Sequence, residues 1–280
     1  MVNAASSQKL TLGDIHITFI PDGSVLFEPT GLLPTTTTQD WQGYQSLLNE
    51  QGKLVGSMGA YIVQTANHTL LVDTAYGDKH AEDDILTLHG GALLTNLRQA
   101  GFEPDDIDVV FFTHFHTDHV GWTSQRKDGQ LSLTFPRARF LTRHAEWQRF
   151  DDPATYREGV ADTLAVLTGR IELLEDGDEL IPGVKVRATP GHTSGHSALV
   201  ISSGSARAII LGDIFHSTIQ LEHPDWTNIY DWDAELAKQT RRQMLQELAQ
   251  PATIGIGAHF STSVFGRLLT QDNIYQWQLL

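Results

Sequence analysis

Residues 114–119 read His-Phe-His-Thr-Asp-His. Four side chains able to bind a cation, His114, His116, Asp118 and His119, are interrupted only by Phe115 and Thr117. Imidazole and carboxylate together suit zinc and related first-row divalent ions. In an extended stretch His114, His116 and Asp118 would face one side and His119 the other. A loop that turns after His116 would instead serve two adjacent cations. Three more segments offer ligands. Pro190-Gly191-His192-Thr193-Ser194-Gly195-His196 carries two imidazoles in a glycine-flanked turn, Gly212-Asp213 a carboxylate, and Ala258-His259 another imidazole. Spacing alone does not choose between His192 and His196. With His192 counted, His114, His116 and His192 serve one metal, Asp118, His119 and His259 the other, and Asp213 lies between them. Three protein ligands per metal and a shared carboxylate leave open coordination positions, the arrangement of a catalytic rather than a structural site.

Positioning these groups falls to strands. His114, His192, Asp213 and His259 each sit just past an apolar run, at 107–112, 184–188, 208–211 and 253–256. Ligands at the ends of several strands converge along one rim of a sheet, where α/β proteins put their sites. The pattern also predicts a strand at 15–20 closed by a turn at 21–24, a loop at 31–40, and a hairpin from 60–65 and 69–73. A helix is expected up to Ala100, with Leu93, Leu94 and Leu97 on one face and Gly101 ending it. Further along come strands at 139–141 and 198–201, a short helix at 145–150 followed by a polar stretch at Pro153, and a helix over 233–250 with Ala237, Met244, Leu245 and Leu248 at helical spacing.

Composition narrows the function. At 280 residues the chain fits one large α/β domain or two units of about 150 residues. With 19 basic and 34 acidic residues the net charge is −15, which argues against a nucleic-acid partner, since phosphate binding needs a basic face. Cysteine is absent, so disulfides, thiolate nucleophiles and Cys-type zinc sites are excluded together. No run reaches the ~20 apolar residues of a membrane span, and the first residues lack the basic-then-apolar pattern of a secretory signal. A cytoplasmic protein with no membrane partner is expected.

The His-x-His-x-Asp-His run, the Pro-Gly-His at 190–192, the Gly-Asp at 212–213 and the Ala-His at 258–259 together resemble the metallo-β-lactamase superfamily. The resemblance implies an α/β fold, a four-layer αβ/βα sandwich with a dinuclear site on one edge, in a single domain over 1–280 with 1–50 as an N-terminal extension. It selects His192 over His196 as the ligand, and likens Asp73 in Val72-Asp73-Thr74 to a strand-end aspartate that orients the His loop. A carboxylate at 213, with no Cys ligand, is similar to the glyoxalase II, lactonase and phosphotriesterase branches. The segments 118–122, 212–216, 223–226 and 258–260 look most like the N-acyl-homoserine lactonase and methyl parathion hydrolase relatives. Those lactonases place a carbonyl-polarising Tyr three residues after the shared Asp; His216 stands there in this chain.

By that resemblance the expected activity is hydrolysis by a metal-bridging hydroxide on two divalent ions, zinc first, with Mn, Fe or Co as alternatives. The expected substrate is a small lactone, as in quorum quenching, the alternatives being another ester, a thioester or a phosphotriester. Asp118 would also carry a proton to the leaving group and His216 would face the substrate, making these two the catalytic residues. A homodimer is expected. The glyoxalase II reading is weakened because residues 254–280 contain only one basic residue, Arg267. Phe115, Trp122, Phe215 and Trp226 flank the motifs and are candidate pocket walls, although each alone reads better as core. His16, His68, His80, His89, His144 and His223 read as ordinary histidines, and His196 as a structural neighbour of the site.

Overall fold

The computed structural model describes residues 2–151, 159–271 and 274–280. The polar stretch expected at Pro153 lies outside them. In chain order the first strands are β1 (Gln8–Leu12), β2 (Ile15–Phe27), β3 (Leu54–Gln64), β4 (Thr69–Val72), β5 (His80–Glu82), β6 (Leu86–His89) and β7 (Val109–Phe112). They are followed by a separate hairpin of β8 (Ser124–Lys127) and β9 (Gln130–Leu133), then β10 (Arg139–Arg143) and β11 (Ile171–Leu174). Apart from the hairpin these strands form a nine-stranded sheet, ordered β11-β10-β7-β4-β3-β2-β6-β5, with β1 beside β2. The second sheet runs in sequence order through β12 (Glu179–Ile181), β13 (Val184–Ala188), β14 (Ser197–Ser203), β15 (Ala206–Ile210), β16 (Thr253–Ile256), β17 (Phe265–Gln271) and β18 (Ile274–Leu279).

Alternating apolar side chains bring the inner faces of the two sheets together. Ile17, Phe19, Tyr61, Val63 and Phe111 of the first meet Val184, Val186, Leu199, Ile210 and Ile256 of the second in one buried core. Each outer face is covered by helices. On the first sheet α2 (Leu93–Gln99) and α5 (Ala161–Leu167) bury Leu93, Leu97, Leu164 and Leu167 against Ile62, Leu71, Val110 and Phe112. On the second, α7 (Ala234–Leu248) buries Met244, Leu245 and Leu248 against Ala198, Ile209 and Leu211. These layers make the αβ/βα sandwich. The remaining helices, α1 (Pro29–Leu32), α3 (Thr117–Val120), α4 (His144–Trp147) and α6 (Ile219–Glu222), are single turns near the rim. Among the described residues no helix is long and apolar enough to cross a membrane.

The expected turn at 21–24 is not a turn. Strand β2 runs through it to Phe27, with a register shift between Pro21 and Gly23 in its pairing with β3. A bulge tolerates Pro, which has no N–H for the ladder, and it turns the Asp22 side chain into the protein, where it is 1% exposed. Asp22 Oδ2 accepts from the backbone N–H of Tyr76 (3.1 Å) and Gly77 (3.0 Å). Its Oδ1 accepts from Gly91 N (3.0 Å), Leu93 N (2.8 Å) and Trp122 Nε1 (2.9 Å). One carboxylate thus ties the loop after β4, the start of α2 and the end of the His segment to β2. Residues 1–50 therefore include an interior strand of the first sheet, β2, which lies directly beside β3.

Asp22→Ala would leave several N–H donors unpaired, some of them fully buried, each costing about 1–3 kcal/mol. Unfolding in urea is expected to show a loss of at least about 3 kcal/mol in stability, seen as a lower midpoint with an unchanged slope.

Candidate metal centre

Strand β7 ends at Phe112, and the chain leaves it through Thr113 and His114 along the sheet rim. His116 stays extended (ψ 154°) and caps the single turn α3, which holds Asp118 and His119. The chain thus turns after His116, and the extended alternation that would have sent His119 away from its neighbours is broken. His192 lies between β13 and β14, Asp213 in a 3₁₀ turn just after β15, and His259 between β16 and β17.

The structure brings all seven expected ligands together. His114, His116, His192 and Asp213 form one group of potential ligand atoms within 4.8 Å of one another, and Asp118, His119 and His259 form a second. Asp213 is central and 3% exposed. Its Oδ2 lies 3.4 Å from His192 Nε2, 3.1 Å from His216 Nε2 and 3.7 Å from His114 Nε2. Its Oδ1 lies 3.2 Å from His119 Nε2 and 3.3 Å from His259 Nε2. His116 Nδ1 and His192 Nε2 approach to 2.8 Å.

The outward nitrogens of these imidazoles are tied down. His119 Nδ1 donates to Asp73 Oδ2 (2.8 Å), and Asp73 is itself fixed by Thr113, whose N–H and Oγ1 each donate to it at 2.8 Å. With its proton on Asp73, Thr113 Oγ1 accepts from His114 Nδ1 (3.0 Å). Asp73 adopts φ +61°, a left-handed conformation that Asp tolerates better than most residues. His192 Nδ1 donates to Asp231 Oδ1 (3.2 Å), and Asp231 is paired with the buried Arg241 (3.1 Å). His259 Nδ1 donates to the Ser57 carbonyl (2.9 Å). Fixing one ring nitrogen sets the tautomer and leaves the other for a metal.

Among the described residues His114 Nε2, His119 Nε2 and Asp213 Oδ1 are buried and make no hydrogen bond. Buried polar atoms are rarely left unsatisfied. Clustered together and drawn from imidazole and carboxylate, they fit divalent cations as their missing partners. His196 differs: its Nδ1 donates to the Thr189 carbonyl (3.1 Å) and its Nε2 accepts from the Asp213 N–H (2.9 Å). It therefore holds the backbone of Asp213, and both of its ring nitrogens are already engaged. Gly212 is needed beside it, with φ +53° and room for no Cβ, which would sit 2.6 Å from His196 Nε2.

The electrostatics follow this layout. Burial would raise the Asp213 pKa, but the imidazoles of His119, His259, His216 and His114 hold it well below the usual carboxylate range. Burial disfavours charge on His119, yet Asp213, Asp73 and Asp118 hold its pKa well above the ordinary value; His259 is raised in the same way by Asp213 and Asp118. Burial and the neighbouring His119 push His114 well down. Burial also lowers His216, and pushes His196 to about 3. Asp231 is held at about 2, because its bond to His192 and the charge of Arg241 outweigh its burial.

A cleft open to solvent lies over the cluster. His116, Asp118, His192, Asp213, His216 and His259 form its floor, and Phe27, Leu86, Leu88 and Tyr230 its apolar wall. None of the four candidate wall aromatics lines it. Phe115 and Trp122 pack on the first sheet and Phe215 under α7. Trp226 stacks on His223 (4.2 Å, 8°) and packs against Trp41 and Tyr44 outside the cleft. The other histidines stay out of the cluster; His80 and His89 stack on each other. Thr113, Ser57, Asp231 and the actual wall were missed by sequence reasoning. Only Asp73, at a strand end, carried a local signal.

The model of the metallo-beta-lactamase superfamily matches residues 60–125 and 136–249, more than half of the chain. The chain belongs to the metallo-beta-lactamase superfamily. It is a hydrolase of that superfamily, and its histidine and aspartate groups suit divalent metals. An N-acyl homoserine lactonase of Bacillus cereus is 24% identical over 212 residues, covering 71% of this chain and 79% of that protein. Among solved members, the hydrolase AbOPH superposes with a TM-score of 0.86 at 25% identity over 99% of this chain and 98% of its own. AidC, a dizinc quorum-quenching lactonase in complex with a product, N-hexanoyl-L-homoserine, shares the fold with a TM-score of 0.85 at 21% identity, over 99% of this chain and 98% of AidC.

In Asp73→Asn an amide donor can face His119 Nδ1 where a carboxylate oxygen accepted. A cation held by Asp118, His119 and His259 is expected to bind about 10- to 100-fold more weakly in this variant, as read by equilibrium dialysis against Zn²⁺.

Proposed function

We propose that this protein is a dinuclear metal-dependent lactonase that opens N-acyl-homoserine or related lactones. The observation that carries the reading is the floor of the cleft: two groups of ligand atoms joined at the buried Asp213, under an apolar wall. In this reading His114, His116 and His192 hold one cation, Asp118, His119 and His259 hold the other, and Asp213 serves both. The nitrogen and oxygen donor set favours Zn²⁺, with Mn²⁺, Fe²⁺ and Co²⁺ as the alternatives. When bound, such a pair lowers the pKa of water from 15.7 toward ~7 and polarises a carbonyl oxygen.

The chain's own residues supply the rest. Asp213, kept ionised by the imidazoles around it, offsets the repulsion between two cations. Asp118 is the more exposed of the two clustered acids, its side chain 20% accessible against 3% for Asp213. It lines the cleft, and in this reading it would take the proton released as the attacking water adds to the carbonyl and pass it to the leaving alkoxide oxygen. Burial keeps His216 neutral, and from the cleft floor it orients the substrate carbonyl, as the lactonases' Tyr does from the same place in sequence. Phe27, Leu86, Leu88 and Tyr230 exclude water around an acyl chain. The relationship to lactonases at about one-quarter identity, together with the fold shared with AidC, supports this choice of substrate.

Metal-reconstituted protein should be assayed on N-hexanoyl-homoserine lactone, aryl esters, thioesters and phosphotriesters. The highest kcat/KM is expected on the lactone, lost on chelation and restored by Zn²⁺, Mn²⁺ or Co²⁺. Full turnover by rigorously metal-free protein, or turnover of phosphotriesters with the lactone untouched, would sink the reading. His216→Phe is expected to lower kcat while two metal equivalents remain by elemental analysis. Loss of an equivalent would instead make His216 a ligand, a role that its grouping with Asp213 and His259 leaves open.

A further inference from the structure

The group formed by His114, His116, His192 and Asp213 straddles both sheets. His114 and His116 follow β7 of the first, whereas His192 joins β13 and β14 of the second. Zinc–nitrogen bonds of about 2.0–2.1 Å leave little tolerance for one sheet edge drifting from the other. A buried acid in α4 spans that gap. Glu146 is 0% exposed. Its Oε1 accepts from the Phe115 N–H (3.1 Å), between His114 and His116, and its Oε2 from Thr193 Oγ1 (2.6 Å), the residue after His192. Arg149 Nη1 pairs with Oε1 at 2.5 Å and offsets the buried charge. The backbone of α4 also presses on the 190–196 turn, where a Cβ on Gly195 would lie 2.0 Å from Glu146 N.

Asp118, His119 and His259 are braced elsewhere. His119 rests on Asp73 and His259 on the Ser57 carbonyl, whereas the Glu146 carboxylate binds Phe115, Thr193 and Arg149. An i,i+3 ion pair that merely stabilised α4 would need Arg149 alone. The two further bonds, one to each ligand-bearing loop, set Glu146 apart from that.

We propose that Glu146 is a positioning residue that fixes how His114 and His116 meet His192, and that it governs one of the two cation positions and not the other. The proposal rests on the two-cation reading above, and its test separates the two. Stripped wild-type protein, Glu146→Gln and Thr193→Val are titrated with Co²⁺ alone, following visible absorption and bound metal. Wild type is expected to take two equivalents. Gln has a single acceptor oxygen and no charge, so Glu146→Gln should keep one equivalent at wild-type affinity and bind the other about 10- to 100-fold more weakly. Thr193→Val, which leaves the Glu146–Arg149 pair intact, should weaken the same equivalent to a smaller degree. Asp73→Asn should chiefly weaken the opposite one. Circular dichroism checks that each variant is folded; if Glu146→Gln is not, Thr193→Val decides alone. Two unperturbed equivalents in the folded variants, or equal weakening of both, would overturn the proposal while leaving the two-cation reading standing. A wild-type chain taking up fewer than two equivalents would overturn both.

Discussion

A buried carboxylate ringed by imidazoles is the interaction on which the rest of this structure depends. Asp213 is nearly inaccessible, and an isolated buried charge costs far more than folding can spare unless it is paired. His119, His259, His216, His192 and His114 all present Nε2 within 3.7 Å of it. Stripped of metal, the cluster balances its charge with protons, which is why the pKa values of His119 and His259 stand above the ordinary imidazole value. Divalent cations supply the same positive charge, and they also satisfy the atoms that protons leave unpaired.

That arrangement requires two sheets to hold a fixed offset at one rim. The inter-sheet core sets their spacing, but apolar packing is non-directional and tolerates small shifts. Directional bonds fix the rim. On one side Glu146 joins the His114–His116 loop to the turn after His192. On the other, β3 reaches across to the second sheet. The Ser57 N–H donates to the His259 carbonyl (3.2 Å) and the Ser57 carbonyl accepts from His259 Nδ1 (2.9 Å), while Ser57 Oγ donates to the Phe260 carbonyl (2.7 Å) and Tyr61 Oη to the Gly257 carbonyl (2.6 Å). Each ligand group has its own strap, and Asp213, anchored by His196, is common to both.

The difference between what the sequence made legible and what it hid follows from this division of labour. The proposed ligands were visible because they cluster just past apolar strands and are of an unmistakable chemical type. The layered fold was implied by the family that these motifs resemble, and the apolar patterns put α7 and the strands before the ligands close to where they lie. Straps were not visible. Asp22, Glu146 and Asp231 act by receiving N–H or O–H groups from segments far along the chain, and that leaves no local pattern. At Pro21-Asp22-Gly23 the local pattern misled, because a bulge and a turn call for the same residues. The cleft wall was hidden for a geometric reason. A residue beside a ligand tends to point the opposite way, so Phe115 and Phe215 go to the core, while Phe27, Leu86, Leu88 and Tyr230 arrive from elements that are neighbours only after folding.

The segment around Tyr230 joins wall to floor. Asp231 accepts from His192 Nδ1, and the Trp232 N–H donates to the His192 carbonyl (3.0 Å). Asp233 N donates to the Gly191 carbonyl (3.0 Å), and the Asp233 side chain caps α7. On the far side, Ile229 N donates to the Leu32 carbonyl (2.9 Å) at the end of α1. Tyr230 therefore sits in a run of backbone bonded at both ends, and its neighbour in sequence sets the tautomer of His192. The cleft wall and the cleft floor are thus joined through one short run of backbone, from Ile229 to Asp233.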